Sequence, residues 1–395
     1  MKRIFMSLIL SCLLSTAIAS KQWVVTWAAA PEFTTAADMP PSGSLSNKSV
    51  RQIIHVSIGG DSIRLRLSNE FSSEPLEIRS VFIADGEEEA EAIDSSTAQY
   101  ILFGGSKSVT IDADTCAVSD AVPYDLKPLQ LLSITICYGS TPVNATSHRG
   151  SRTTSYLVDG IATASTDFSN AELTDHWYNI AAVDVLCQQG TEAIAVLGNS
   201  ITDGRGSTTN AQNRWTDVMA EMLGGNVAVA NLGIGGNSVY YGGISQPAVS
   251  RFERDILGQS GITCLIIFEG INDLGNSDND EQQRASKLIE CYEEFAAKAH
   301  EKGLKVLGAT ITPFGGSFYD NGSPAREEAR QAVNKWIRES ADNGTLDGVI
   351  DFDAAVSDPS CPSKLREEYQ DDWLHLNADG YRVMGNYAAR IVSGN

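Results

Sequence analysis

Five short apolar runs in the second half of the chain constrain its fold more than any other feature. Runs of this length are typical of strands that are buried on both faces of a parallel sheet. Residues 285–299 form an amphipathic helical pattern that stops before Gly303, a second helix is expected at about residues 326–341, and a last one follows Asp379. The pattern predicts an α/β fold with a doubly wound, flavodoxin-like parallel sheet of five strands. The runs are residues 193–197, 227–232, 263–268, 305–311 and 348–352.

The first half of the chain shows a different periodicity. Apolar and polar side chains alternate with a period of two in residues 54–58, 63–68 and 132–137. Such alternation is typical of strands that turn one face to a core. Clusters of Gly, Pro, Ser and Asp separate the strands, and no long amphipathic helix is visible. We predict an all-β, jelly-roll-like sandwich, which either binds sugars or only supports the second half.

The N-terminus has the pattern of a secretory signal peptide. Lys2 and Arg3 precede an apolar stretch at residues 4–14, and residues 17–19 form a small-x-small cleavage site. The apolar stretch is too short to span a membrane. A lipoprotein anchored through Cys12 is a less favoured alternative, because the chain stays apolar beyond that cysteine. We expect a secreted or periplasmic protein, with no membrane span later in the chain.

Composition narrows the range of partners. The 395-residue chain carries a formal charge of −21 and has no basic run. Such a chain is not expected to bind nucleic acid or anionic membrane, and neutral substrates are the simpler expectation. Six cysteines follow the signal sequence, but there is no C-x-x-C or H-x-x-x-H pattern, so we expect no metal and no cofactor. The six are Cys116, Cys137, Cys187, Cys264, Cys291 and Cys361, and Cys264 lies in an apolar run where a buried free thiol is expected.

Four polar motifs follow the predicted strands of the second half. Ser200 lies in a glycine-bounded turn, GNSITDG, directly after the first apolar run. Gly236 ends an N-x-x-x-x-G pattern after the second run, and Asn272 lies in a G-x-N-D pattern after the third. His375 ends a D-x-x-H pattern near the C-terminus. Open α/β sheets place their ligands at the carboxyl ends of the strands, so these groups can meet at one edge.

These motifs resemble the four blocks of the SGNH (GDSL-like) hydrolase family. The resemblance covers roughly residues 193–395, and it implies the α/β fold and an ester hydrolase with a serine nucleophile. One position departs from the family pattern: Asn199 stands where the name motif has Asp before the serine. Asn199 is not one of the four named groups, so the departure bears on the subfamily more than on the chemistry.

The chemistry of ester cleavage assigns a role to each motif. A serine hydroxyl needs a general base, for which His375 is the candidate, and Asp372 is placed to orient its imidazole. Asp371 is adjacent, but the spacing favours Asp372. We expect this carboxylate to raise the pKa of His375 above its ordinary value of about 6.5. The oxyanion hole is predicted from the N–H groups of Ser200 and Gly236 and the side-chain amide of Asn272. Each motif taken alone has a simpler interpretation: Gly236 as a turn glycine, Asn272 as a helix cap and His375 as a surface residue.

The expected function is hydrolysis of acyl esters, most simply O-acetyl groups, on carbohydrates. The alternatives are a lipid or aryl esterase of lysophospholipase type and, in a different class, a non-catalytic carbohydrate-binding protein. Aromatic residues also follow the strands at Tyr240, Tyr241, Phe314, Phe318, Tyr319 and Trp373, and we expect Tyr240, Tyr241, Phe314 and Trp373 to contact substrate. The predicted division is a signal peptide at residues 1–19, a β-sandwich accessory domain at residues 20–185 and the hydrolase domain at residues 186–395.

Overall fold

The computed structural model describes residues 20–87 and 91–394. The signal-peptide prediction for residues 1–19 lies outside the described residues. The first half consists of strands: β1 Lys21–Ala28, β2 Glu32–Phe33, β3 Lys48–His55, β4 Gly60–Ser68, β5 Leu76–Gly86, β6 Ile93–Ile101, β7 Val109–Ile111, β8 Cys116–Val118, β9 Val122–Leu126, β10 Leu131–Tyr138, β11 Thr146–His148, β12 Ser155–Asp159, β13 Glu172–Thr174, β14 Trp177–Tyr178 and β15 Ile180–Gln188.

Twelve of these strands form two antiparallel sheets that face each other across one core, and β14, β11 and β2 form a smaller third sheet. One sheet has the order β1-β15-β4-β8 with β9 beside β4, and the other has the order β13-β12-β3-β10-β5-β6 with β7 beside β5. Strand β4 shows why the alternation predicts this arrangement: Ile63 and Leu65 are buried, whereas Arg64 between them is not. Ile63 packs in the same core as Ile134 of the opposite sheet. The antiparallel β character predicted for the first half is confirmed.

The second half alternates strands and helices. Its strands are β16 Ala193–Gly198, β17 Ala228–Gly233, β18 Cys264–Phe268, β19 Lys305–Ala309, β20 Gly348–Ile350, β21 Ser357–Asp358 and β22 Cys361–Leu365. Its helices are α1 Ser200–Asp203, α2 Trp215–Met222, α3 Ala248–Arg251, α4 Ile271–Gly275, α5 Glu281–Glu301, α6 Pro324–Asn343, α7 Phe352–Val356 and α8 Ala378–Ser393, with a π-helical turn at Phe252–Leu257 and a 3-10 turn at Glu367–Tyr369.

Strands β16 to β20 form the predicted five-stranded parallel sheet. Their order is β17-β16-β18-β19-β20. Every residue of β16 and β18 is buried, because α2 packs with α8 and α5 packs with α6 around the sheet. Chain order reverses at β16, which lies between β17 and β18. Sheets of this order bind ligands at the carboxyl ends of the strands beside the reversal. The fold class predicted for the second half is confirmed.

The two halves share an interface at β17 and at the loop before β18. Val25 of β1 donates its N–H to Ser260 O at 2.9 Å, and Val229 of β17 donates its N–H to Ser57 Oγ at 3.0 Å. Val25 and Ala28 are buried in the apolar core of the second half. The β half therefore covers an edge of the parallel sheet that would otherwise be exposed. We propose the domain boundary in the turn after β15, which continues to Gln188, slightly beyond the predicted boundary at residue 185.

Two further features concern the chain as a whole. Within residues 20–87 and 91–394, no helix has the length and apolar character that crossing a membrane requires. The six cysteines of the described residues all have free thiols, and Cys264 is buried as expected.

Residues 189–395 produced alone should fold poorly, because they lose the apolar and hydrogen-bonding cover of β17. We expect a fall in melting temperature of ~10 °C or more relative to the full chain, or loss of soluble protein. Circular dichroism melts of the two proteins measure this. A cooperative melt at an unchanged temperature would contradict the structural dependence of the second half on the first.

Candidate active site

Three neighbouring strands end at the same level of the sheet. Gly198, the last residue of β16, is in register with Gly233 of β17 and with Phe268 of β18. The loops that follow these strands carry Ser200, Gly236 and Asn272. The register therefore explains why residues far apart in sequence line one cleft at this edge.

The turn after β16 fixes the position of Ser200. Asn199 caps the short helix α1, because its side-chain oxygen accepts the Ile201 N–H at 3.1 Å. A Cβ at position 198 would lie 2.2 Å from Thr202 Oγ1, so only glycine fits before the cap. Gly204 ends α1 with a φ of 100°, a left-handed conformation that favours glycine. Ser200 is thus held in a turn with little freedom, and 7% of its surface remains exposed.

Ser200, His375 and Asp372 form a chain of hydrogen bonds. Ser200 Oγ lies 2.8 Å from His375 Nε2, and His375 Nδ1 lies 2.9 Å from Asp372 Oδ2. Asp372 Oδ1 also accepts the backbone N–H of His375 at 2.8 Å. The neighbouring Asp371 instead donates its backbone N–H to His375 O. The structure therefore brings together the three groups that the motifs predicted, with Asp372 and not Asp371 on the imidazole.

The pKa of His375 is lowered from its ordinary value, which differs from the sequence expectation. Burial lowers the pKa first, since it penalises the imidazolium, while Asp372 opposes this effect. Arg205 and Arg152 then lower the pKa further through their positive charges. The expectation considered only the adjacent carboxylate and was wrong in direction, because burial and the two arginines arise from the tertiary structure.

Gly236 and Asn272 line the cleft beside Ser200. Gly236 adopts a φ of 72°, which turns the backbone after β17. The Asn272 amide is fixed at both ends: Nδ2 donates to Asn237 O at 2.6 Å, and Oδ1 accepts the Tyr319 hydroxyl at 2.9 Å. One N–H of Nδ2 remains for a ligand in the cleft. Tyr319 therefore orients the amide, a contact that the sequence analysis did not predict.

Asn199, the departure from the family motif, lies against a buried carboxyl group. Its Nδ2 is 3.2 Å from Glu269 Oε2, and Arg251 lies 3.5 Å from the other carboxyl oxygen. Burial raises the pKa of Glu269 to about 8. An aspartate at position 199 would set a second acid against Glu269, whereas the amide of Asn199 donates to it. The departure is explained by this partner.

The β half supplies one wall of the cleft. His148 of β11 lies 2.9 Å from Asp203, which is the last residue of α1, and the other imidazole nitrogen contacts Ala30 O. Burial opposes the charge on His148, but Asp203 and Glu32 outweigh it and raise the pKa of His148. His148 thus contacts the helix that begins with Ser200, although the sequence analysis assigned this histidine no role.

The cleft has a volume of about 670 Å³ and a mixed lining. The aromatic residues predicted to contact substrate, Tyr240, Tyr241, Phe314 and Trp373, do not line it. Phe314 is buried in the core and Tyr240 packs against it, and Tyr241 is mostly exposed. The lining residues are Glu32, Arg149, Gly150, Arg152, Asp175, His176, Ser200, Asp203, Arg205, Gly235, Gly236, Gly243, Ile244, Asn272, Asn276, Phe318, Tyr319, Asp372, Leu374 and His375.

Trp373 has a structural role in the turn before His375 and does not line the cleft. Its φ of 64° closes the tight loop between Asp372 and His375, and its ring lies 5.5 Å from Lys364 Nζ. The aromatic residues that do reach the cleft are Phe318 and Tyr319. The sequence could not distinguish Phe318 and Tyr319 from Phe314, since all three follow the same strand. The path of the loop determines which rings reach the cleft and which pack in the core. In the described part of the chain, no cluster of three or more His, Cys, Asp or Glu side chains is arranged to hold a metal ion.

Comparison with known proteins identifies the type of domain that carries this cleft. Residues 196–383 match the model of the GDSL-like lipase/acylhydrolase family. This region is therefore a GDSL-like (SGNH) acylhydrolase domain, as the motifs predicted, and it makes the protein an ester hydrolase. A comparison with curated protein sequences finds no match.

Among solved structures, the chain is similar to a carbohydrate acetylesterase from Sinorhizobium meliloti, with 17% identity, a TM-score of 0.41, and coverage of 51% of this chain and 99% of that one. It is also similar to a family two carbohydrate esterase from Clostridium thermocellum in complex with cellohexaose, with 12% identity, a TM-score of 0.40, and coverage of 95% and 94%. A third is a GDSL-like lipase from Bacteroides thetaiotaomicron, with 18% identity, a TM-score of 0.40, and coverage of 52% and 89%.

Activity should rise with pH through a midpoint below about 6.5, because only neutral imidazole accepts a proton and the pKa of His375 is lowered. The variant Arg205→Gln should move the midpoint upwards, since it removes one of the charges that lower this pKa. The pH profile of kcat/KM for p-nitrophenyl acetate measures both, with Arg382→Gln, an exposed site on α8, as the control. A wild-type midpoint above 7 would contradict the lowered pKa.

The variant Tyr319→Phe should lower kcat about 3- to 10-fold, because the Asn272 amide loses the hydroxyl that orients it. The loss should be smaller than the roughly 10²–10³-fold cost of removing an oxyanion donor outright. Steady-state kinetics on p-nitrophenyl acetate would show it, and Tyr387→Phe on α8 is the matched control. An unchanged kcat would mean that Tyr319 does not position the amide.

Proposed function

We propose that the protein is an exported serine esterase that removes small acyl groups, chiefly acetyl, from carbohydrates. The observation that carries the proposal is the hydrogen-bond chain from Ser200 through His375 to Asp372, at 2.8 and 2.9 Å, in an open polar cleft. Export rests on the signal-peptide pattern of residues 1–19. The chemistry needs no cofactor.

The proposed mechanism has two stages. His375 Nε2 accepts the Ser200 proton as Oγ attacks the ester carbonyl, and Asp372 stabilises the imidazolium that forms. The N–H groups of Ser200 and Gly236 and the free N–H of Asn272 are the proposed donors to the oxyanion. The sugar hydroxyl leaves with the proton from His375. Water, activated by the same histidine, then attacks the acyl-enzyme and releases the acid and free Ser200.

The lining of the cleft supports a sugar as substrate. Only four of its twenty residues, Ile244, Phe318, Tyr319 and Leu374, have large apolar side chains, and Leu374 and Tyr319 are buried. The remaining residues are charged, polar or glycine. A lipid chain needs a continuous apolar groove, whereas hydroxyl groups need hydrogen-bond partners on several sides. The β half adds polar groups on one side, which gives the accessory sandwich a direct part in the site.

A second candidate is an esterase for aryl or longer acyl esters. It is favoured by two apolar side chains at the cleft that are exposed, Phe318 at 71% and Ile244 at 49%. Their exposure provides a surface for an aromatic ring or a short alkyl chain. The two candidates differ in the ester that they hydrolyse fastest, and not in the residues that perform the chemistry.

The variant Ser200→Ala should abolish hydrolysis, because it removes the hydroxyl that lies 2.8 Å from His375 Nε2. Wild-type enzyme should favour acetyl over octanoyl esters by at least about tenfold in kcat/KM. A polar cleft offers the added methylenes of an octanoyl chain few apolar contacts, so the longer chain gains little binding energy. Release of acid from acetylated xylan, acetylated monosaccharides and p-nitrophenyl esters measures this, with the exposed Ser250→Ala as control. Substantial turnover by Ser200→Ala would refute the nucleophile, and equal rates on octanoyl esters would favour the second candidate.

A further inference from the structure

Two arginines from opposite halves of the chain line the cleft with Ser200 and His375. Arg205 belongs to the second half and follows directly after the turn that carries Ser200. Arg152 belongs to the β half, in the loop after β11. Both lie close enough to His375 to lower the pKa of its imidazole. Two positive charges therefore lie in the same cleft as the proposed nucleophile and base.

The other charged groups around this cleft already have partners. Arg149 Nη2 lies 2.5 Å from Glu32 Oε2, which is buried. Asp203 is 2.9 Å from His148, and this carboxylate raises the pKa of the imidazole against the effect of burial. Asp372 is bound to His375. Asp175 is exposed to solvent and lies 3.7 Å from His176.

Arg205 has no such partner, and Arg152 is only partly paired. Among residues 20–87 and 91–394, no side chain or carbonyl makes a hydrogen bond or ion pair with the Arg205 guanidinium, which is exposed. Arg152 has one long contact, from Nη2 to Asp203 at 3.4 Å, and its Nε is buried without a partner. In the described part of the chain, the Arg205 guanidinium thus lacks an acid and Arg152 keeps donors free, although the whole chain has a formal charge of −21.

The loop that presents Arg152 is held in a strained conformation. Its φ of 50° lies in the left-handed region, which is unfavourable for a residue with a side chain. Asn210 of the second half holds it there, since the Asn210 N–H donates to Arg152 O at 2.9 Å and Asn210 Oδ1 accepts the Thr154 N–H at 2.7 Å. Strain that the surroundings enforce is common at ligand sites. Both halves thus fix the position of this side chain.

We propose that Arg152 and Arg205 form a carboxylate-binding subsite, which takes a uronate ring next to the acylated sugar of an acidic polysaccharide. The inference rests on the proposed function and narrows its substrate class. A guanidinium binds a carboxylate through two parallel hydrogen bonds, so each arginine offers directional binding as well as charge. The sequence led us to expect neutral substrates from net charge, but charges more than about 10 Å apart are largely screened at ordinary ionic strength. The charge of a substrate that the cleft binds therefore depends on the nearby pair, Arg152 and Arg205, more than on the net charge of the chain.

The test compares two substrates of equal length, an acetylated oligogalacturonate and an acetylated xylo-oligosaccharide. Wild-type kcat/KM should be higher for the acidic substrate, and Arg205→Gln and Arg152→Gln should each reduce the acidic-to-neutral ratio about tenfold or more. Arg205→Lys should keep part of the ratio, because it retains the charge. The control Arg382→Gln removes an exposed arginine on α8 and should leave the ratio unchanged. Since the readout is a ratio, a variant that folds poorly lowers both rates without imitating the effect.

Three results would overturn the subsite. One is a wild-type preference for the neutral oligosaccharide, and another is an unchanged ratio in both glutamine variants. The third is a loss of kcat/KM in the glutamine variants on succinyl esters of a neutral sugar and not on the acetylated oligogalacturonate. That result would mean that the arginines bind a carboxylate on the acyl group. Failure of the proposed function is distinct: neither sugar would be deacetylated while p-nitrophenyl acetate is still cleaved, and the subsite would fall with it.

Discussion

A carboxylate buried three residues after the proposed nucleophile is the constraint on which the site depends. Asp203 ends the short helix that begins with Ser200, and only 3% of its surface is exposed. A buried charge without a partner costs several kcal/mol, so Asp203 requires cations around it. His148 and Arg152 supply them from the β half, and both help to keep the pKa of Asp203 low against burial. The geometry of the turn that carries the proposed nucleophile thereby depends on the β half as well as on its own sequence.

Close packing reinforces this dependence. Gly150 of the β half lies so near Asp203 that a Cβ there would be 1.9 Å from a carboxylate oxygen. Arg214 reaches across the same junction, donating Nε to Asp203 O at 3.2 Å and Nη2 to Ser151 O. The two halves are therefore interlocked at the cleft as well as along β17. The β sandwich therefore supports the second half and also forms a wall of the cleft.

The sequence predicted those features that depend on local pattern. Apolar runs of five to seven residues predicted the parallel sheet, and the motifs after them located Ser200 and His375, because strand ends meet at one edge. It did not predict contacts between distant segments. His148 and Asp203 are 55 positions apart, and nothing in either neighbourhood signals the other. The predicted direction of the His375 pKa shift was wrong for the same reason, since the shift depends on burial and on two distant arginines.

The central claim is that Ser200 carries the acyl group during turnover, and covalent labelling tests it most directly. A p-nitrophenyl phosphonate ester should add one phosphonyl group per chain, detected by intact mass, with loss of esterase activity in proportion to labelling. Peptide mapping should place the group on Ser200. The variant His375→Ala should be labelled far more slowly, because the Ser200 hydroxyl then lacks its general base. Full esterase activity after complete labelling, or a label on another residue, would contradict the account.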